Sequence, residues 1–146
     1  MTPTTPITIT VPGAPVPKGR PRIVRIAGHA RMATPEKTVA YEGLVAHAAQ
    51  QAMAGREPIA GGVAVQLDIG LPVPASWSAK KQAGALAGTV LATKKPDADN
   101  VVKAIFDGLN GVVWRDDVQV VRLVTQKRYA AAPGVRVEIV ALESAA

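Results

Sequence analysis

Apolar residues return at every second position in widely separated stretches of this chain, and that period constrains the fold more than any other feature. Ile7, Ile9 and Val11 alternate with threonines in PITITVPG, residues 6–13. Val63, Val65, Leu67 and Ile69 repeat the pattern within residues 61–74. VQVVRLVTQKRYA and GVRVEIVAL carry strand-forming residues near the end, joined by a turn through Pro133-Gly134. Side chains that alternate in this way lie on opposite faces of a strand, one buried and one wet.

Between these runs the period changes. In TPEKTVAYEGLVAHAAQQAMAG, Val39, Leu44, Val45, Ala48, Ala52 and Met53 recur at helical spacing. Thr34 reads as the N-cap of that helix, Pro35 as its first residue and Gly55 as its end. DNVVKAIFDGLNG predicts a helix from Asp99 to Leu109, stopped by Asn110-Gly111, and SAKKQAGALAG a shorter one after Ser76 or Ser78. TVLATKK, residues 89–95, reads as a short strand or an extended approach to the second helix. The prolines of residues 14–35 forbid a helix, and residues 22–33 can form an irregular hairpin around Gly28. The expected architecture is a single α+β (mixed α/β) domain over residues 1–146, a small mixed β-sheet packed by two main helices. A chain of 146 residues suits one buried core.

Composition narrows the partners. Hydrophobic residues make up 48%, which argues against disorder, and aromatics only 3%, which leaves few platforms for stacking unpaired bases. The formal net charge of +6 favours a polyanionic partner. The absence of cysteine excludes disulfides, zinc–thiolate sites and thiol catalysis. No uninterrupted apolar run is long enough for a bilayer, and MTPTTPITIT has neither the basic nor the apolar region of a signal peptide. The expectation is a cytoplasmic protein with no membrane partner.

KKPDADNVVK, residues 94–103, concentrates the chemistry. Pro96 pushes Lys95 to extended geometry, and in extended chain Asp97 and Asp99 would point to one side. Asp99 also precedes the apolar helical run and can cap it. Lys103 stands one turn further along the same face, and Asp107 another turn on. Carboxylates held side by side repel unless a cation sits between them, and Mg²⁺ takes oxygen ligands while keeping several waters. A second acidic pair, Asp116-Asp117, opens the strand from Val118 to Val124, so that strand start can lie beside the helix and add a third carboxylate. Spacing alone leaves the alternatives open. D-x-D fits a turn with a helix cap, Asp116-Asp117 a polar turn and Lys103 a solvated helix face.

The joint pattern goes further. KPDADNVVKAIFDGLNGVVWRDDVQV, residues 95–120, resembles the RusA family of Holliday-junction resolvases, of phage and prophage type. GAPVPKGRPR and TPEKTVAYE, residues 13–22 and 34–42, resemble it too. The resemblance implies a homodimeric, Mg²⁺-dependent endonuclease that nicks branched DNA, with Mn²⁺ as a substitute ion. It implies metal ligation by Asp97, Asp99 and Asp117 and an essential role for Lys103. Asp116 and Asp107 are additional candidates, Asp107 as a structural residue paired with Lys103. Asn100 is expected to fix the helix start, Trp114 to anchor packing, and Gln119 to bond near the site or face solvent.

Lys18, Arg20, Arg22 and Arg25 can clamp phosphates, and Lys94, Lys95 and Arg115 flank the acids. Lys127 and Arg128 read as ordinary surface charge, and neither His29 nor His47 is assigned to metal. The candidate dimer seams are the last strand and the apolar face of the helix from Thr34. The expected function is resolution of four-way junctions by paired nicks, in a bacterial cell or from a phage or prophage. The alternatives are a non-catalytic module that binds branched DNA, or a nuclease acting on forks, flaps or RNA.

Overall fold

The period-two runs pair as one sheet. The computed structural model describes residues 5–19, 21–33 and 35–142, and for Arg22 the backbone alone. Its strands are β1 (Ile7–Pro12), β2 (Arg22–Ile26), β3 (His29–Ala33), β4 (Val63–Leu71), β5 (Val120–Tyr129) and β6 (Gly134–Ala141). Its helices are α1 (Glu36–Met53), α2 (Ala79–Ala87) and α3 (Ala98–Leu109). The main sheet runs β1-β6-β4-β5. β6 is antiparallel to both β1 and β4, whereas β4 and β5 are parallel. A parallel pair needs a crossover, and residues 72–119, with α2 and α3, supply it. The expected α+β class holds.

One face of the sheet makes the core. Ile9, Val11, Val63, Leu67, Ile69, Val137 and Ile139 are buried on it. The other face shows Thr8, Thr10, Gln66 and Arg136 to solvent. α1 and α3 cover the apolar face, so the domain has two layers. α3 buries Val101, Ile105 and Leu109 completely, each contributing about 1.5–3 kcal/mol relative to exposure. Gly108 lets the helices meet. A Cβ there would stand 2.7 Å from Val45 Cβ and 2.9 Å from the Glu42 carbonyl oxygen.

Several details differ from expectation. α1 begins at Glu36, so Pro35 precedes it as the cap rather than opening it. The expected Thr34 cap lies outside the described residues. The buried face of α1 is Thr38, Tyr41, Val45, Ala49 and Met53, while Val39 and Leu44 are exposed. The expected set straddled two faces, because it left out the threonine and the tyrosine that point inward. Residues 89–95 form no strand. The ladder of β5 starts at Val120, because residues 117–119 first make a 3₁₀ turn.

β5 and β6 follow one another in sequence, yet β4 lies between them. The last strand, β6, is therefore internal and offers no free edge for a dimer seam. β5 is an edge strand with Val121, Leu123 and Val124 exposed at 69%, 41% and 57%.

The basic segment makes a separate two-stranded sheet. β2 and β3 pair in regular register, Ile23 opposite Met32 and Ile26 opposite His29. Ala27 and Gly28 turn the chain with φ of 51° and 80°. Two successive positive φ values are those of a type I′ turn, whose twist matches the strands.

Candidate active site

The first acids stand at the start of α3. Asp97, not Asp99, is its N-cap, in extended conformation and with no side-chain bond to the helix backbone. Asp99 lies inside the first turn, so the two are not neighbours on an extended strand as expected. Helical geometry begins at Ala98 and rotates Asp99 away from the extended alternation. Asn100 Nδ2 lies 3.4 Å from Asp97 Oδ2, in keeping with its expected place at the helix start. Lys103 is exposed one turn above Asp99. Among the described residues, none of Asp97, Asp99, Lys103, Asp116 and Asp117 makes an ion pair.

The turn before the helix is tied down from β5. Lys127 Nζ donates to the Lys94 carbonyl at 2.8 Å and to the Pro96 carbonyl at 3.0 Å. An ammonium has three donors and no acceptor, so two carbonyl partners hold it well. Lys127 is thus part of the site's scaffold rather than plain surface charge.

The second acidic pair is organised at the other end of α3. Buried Trp114 donates from Nε1 to Asn110 Oδ1 at 2.6 Å. An indole N–H can only donate, so it fixes the orientation of the Asn110 amide. The amide's NH₂ then donates to Asp117 Oδ2 at 3.2 Å. Asp116 turns elsewhere and accepts from the Val118 N–H at 3.3 Å, capping the 3₁₀ turn.

Gln119 closes that turn. Its Oε1 accepts from the Arg115 and Asp116 N–H groups, and its Nε2 donates to the Ile59 and Gly61 carbonyls. Trp114 is a packing anchor, fully buried with its ring edge-on to Phe106 at 5.4 Å.

The two acidic groups do not meet within the chain. The twelve residues of α3 rise about 1.5 Å each, so its ends stand roughly 17 Å apart. Asp97 and Asp99 sit at one end, and Asp117 is bonded to Asn110 at the other. Among the described residues no three acidic or histidine side chains gather closely enough to share a metal ion. The expected placing of the strand start beside the first two aspartates does not hold within the chain, because the crossover enters β5 at the far end of the helix.

The basic residues divide. Lys18 Nζ bridges Glu42 at 2.7 Å and Asp107 at 2.8 Å. Burial lowers its pKa, but the bonds to Asp107 and Glu42 outweigh burial and hold it above the usual lysine value. Lys18 thus spends its charge inside the molecule, and Asp107 pairs with it rather than with Lys103. The Lys18 N–H also donates to the Asn100 carbonyl at 2.9 Å, which lays the basic segment against the first turn of α3. Arg25, Lys94, Lys95 and Arg115 are exposed. Arg20 and the side chain of Arg22 lie outside the described residues.

A family model described as "Endodeoxyribonuclease RusA" matches residues 12–140. The chain belongs to the RusA family. A curated relative in Bacillus subtilis (strain 168), "Uncharacterized protein YqaN", is 38% identical over 138 residues, covering 91% of this chain and 94% of the relative. RusA proteins are endodeoxyribonucleases that resolve Holliday junctions, so a nuclease acting on DNA is the activity this membership implies. Among the described residues no helix is long and apolar enough to cross a membrane.

In this RusA chain the available donors are carboxylate oxygens, which suit a hard divalent cation, and one or two can hold Mg²⁺ together with substrate phosphates. The chemistry of the donors therefore fits, while the chain brings together fewer of them than the sequence implied. Asn110 and Lys127 are the positioning groups that sequence reasoning missed. The Asn-Gly signal at 110–111 read only as a helix stop. Nothing local marks Lys127, whose partners lie 31 and 33 residues away.

Proposed function

We propose that this protein is a homodimeric, Mg²⁺-dependent endonuclease that resolves four-way DNA junctions by paired nicks. The observation that carries the reading is the exposed Asp97–Asp99–Lys103 constellation on the first turns of α3, free of ion pairs among the described residues, in a chain of the RusA family. Asp97, Asp99 and Asp117 would hold the ion. When bound, it supplies positive charge to the scissile phosphate and lowers the pKa of water.

The chain's own residues do the rest. Lys103 carries an ammonium to the charge that builds on the phosphate oxygens. Asn110 keeps the Asp117 carboxylate aimed, and Lys127 holds the turn that presents Asp97. Lys94, Lys95, Arg115 and Arg25 offer exposed cations to neighbouring phosphates, which position the duplex without reading sequence.

The open edge of β5 supports the dimer. A long edge strand with exposed apolar residues is a template for pairing. Antiparallel pairing of two β5 strands about a twofold axis sets the start of one against the end of the other. The start follows Asp117, and the end carries Lys127, which holds the Asp97 turn. Such a pair would bring together the acids that one protomer keeps apart, and would give two sites for two nicks.

The intact, exposed acidic set argues against a module that only binds. The test is a nicking assay on a four-way junction, a fork and a linear duplex, with and without Mg²⁺ or Mn²⁺. Nicking is expected on the junction and only with the ion. Asp97→Asn should reduce it on the order of a hundredfold or more. Undiminished nicking by that variant overturns the reading.

A further inference from the structure

The β2–β3 ribbon presents an unexplained surface. A two-stranded hairpin alone is at best marginally stable in water and needs a partner for its faces. Here both faces are open. Ile23, Ile26 and Met32 are exposed at 72%, 58% and 65%, and β2 and β3 contact each other far more than any other element. Five residues per strand make a ribbon about 17 Å long.

Ile23 and Met32 are a cross-strand pair on one face, and Ile26 flanks the turn on the other. Arg25 and Arg31 project among them, and residues 13–35 contain no acid at all. The root of the ribbon is fixed. The Lys18 N–H binds the Asn100 carbonyl, and the Gly19 N–H binds Thr38 Oγ1 at 3.0 Å. The ribbon therefore springs from beside the turn that carries Asp97 and Asp99.

Apolar side chains interleaved with arginines do not suit water. They also do not suit a second copy of the same ribbon, which would set arginine against arginine. They do suit DNA whose stacking is interrupted. A two-stranded ribbon fits the major groove, arginines take phosphates, and Ile or Met side chains can wedge between base steps. A branch point is where such steps are already partly unstacked, so the wedge costs least there.

We propose that the β2–β3 ribbon is a wedge that enters branched DNA at its branch point, with Ile23, Ile26 and Met32 against base faces and Arg25 and Arg31 on the flanking phosphates. The inference deepens the junction-nuclease reading and rests on it.

The test uses the full chain and a four-way junction with 2-aminopurine at the crossover, in Ca²⁺ so that binding is seen without cutting. The wild-type protein should raise 2-aminopurine fluorescence as the base unstacks. The variant Ile23→Ser/Ile26→Ser/Met32→Ser changes only exposed side chains, so its circular dichroism should match wild type. It should still bind the junction with the same salt dependence, leave the fluorescence low, and nick in Mg²⁺ roughly tenfold or more slowly. A variant that raises the fluorescence as wild type does overturns the wedge. So does a variant that sediments as a monomer where the wild type is a dimer, since the ribbon then packs a second copy. If the wild-type protein nicks no branched DNA, the nuclease reading fails, while the fluorescence rise still reports on the wedge.

Discussion

Two residues show how a single polar atom sets behaviour here. The Tyr41 hydroxyl is buried in α1 with no partner among the described residues, and burial pushes its pKa from 10.0 up to about 12. The folded state thus favours the neutral phenol. Stability is unaffected below about pH 10, then falls as the unfolded chain ionises first, by at most about 3 kcal/mol near pH 12. Tyr41→Phe should lessen the alkaline decline in thermal melts from pH 7 to 11.5, leaving the part due to Lys18, whose raised pKa makes its ion pairs fade in the same range. At neutral pH it should cost little, because no hydrogen bond is lost.

Asn110 separates structure from activity. Asn110→Ala strands the buried Trp114 N–H and should lower stability by about 1–3 kcal/mol. Asn110→Asp keeps an acceptor for Trp114 but replaces the donor to Asp117 with a second carboxylate. Without a cation the two carboxylates repel, so it should melt below wild type, and with the bond that aims Asp117 gone it should need roughly 10–100-fold more Mg²⁺ for half-maximal nicking. Equal Mg²⁺ requirements in the two proteins would remove Asn110 from the site.

Among the elements, α3 carries the most. It packs through Gly108 on α1, presents Asp99 and Lys103, and ends on Asn110. Gly108→Ala drives a methyl into Val45 and the Glu42 carbonyl, and overpacking of this kind costs about 1–3 kcal/mol. A urea melt should show a lower midpoint with an unchanged slope.

α3 was legible within a residue because its apolar face repeats strictly, at Val101, Val102, Ile105 and Leu109, and Asn-Gly marks its end. α2 was legible too, with Ser78 capping through the Lys81 N–H at 3.2 Å and Gly88 closing it. The cap of α3 was misplaced because Asp97 and Asp99 are equally good capping residues and only backbone geometry chooses between them. The strand order was not legible at all. Nothing in GVRVEIVAL states that it inserts between two earlier strands, since pairing is decided by long-range burial. The acidic residues could be found from their pattern, but their distribution to opposite ends of one helix could not.

The acids divide between the two ends of α3, and pairing of two chains can be tested on that division. If Asp117 of one protomer works with Asp97 and Asp99 of the other, Asp97→Asn and Asp117→Asn proteins are each inactive alone. Mixed and refolded together, they form heterodimers in which one of the two sites has all its acids. Single-strand nicking should return, at about half the wild-type rate per heterodimer, without paired resolution. No recovery on mixing would place each site within one chain. The seam can be tested separately. Val121→Lys sets like charges close together across paired β5 strands and should shift the protein toward monomer in light scattering, with loss of nicking.

During synthesis, Asp97 and Asp99 leave the ribosome some thirty residues before the lysine that shapes their turn. The turn takes its bonded form only when β5 docks on β4. Docking of β5 on β4 and shaping of the acidic turn are then one event in the life of the chain, and a chain released before Lys127 carries the acids without the means to present them.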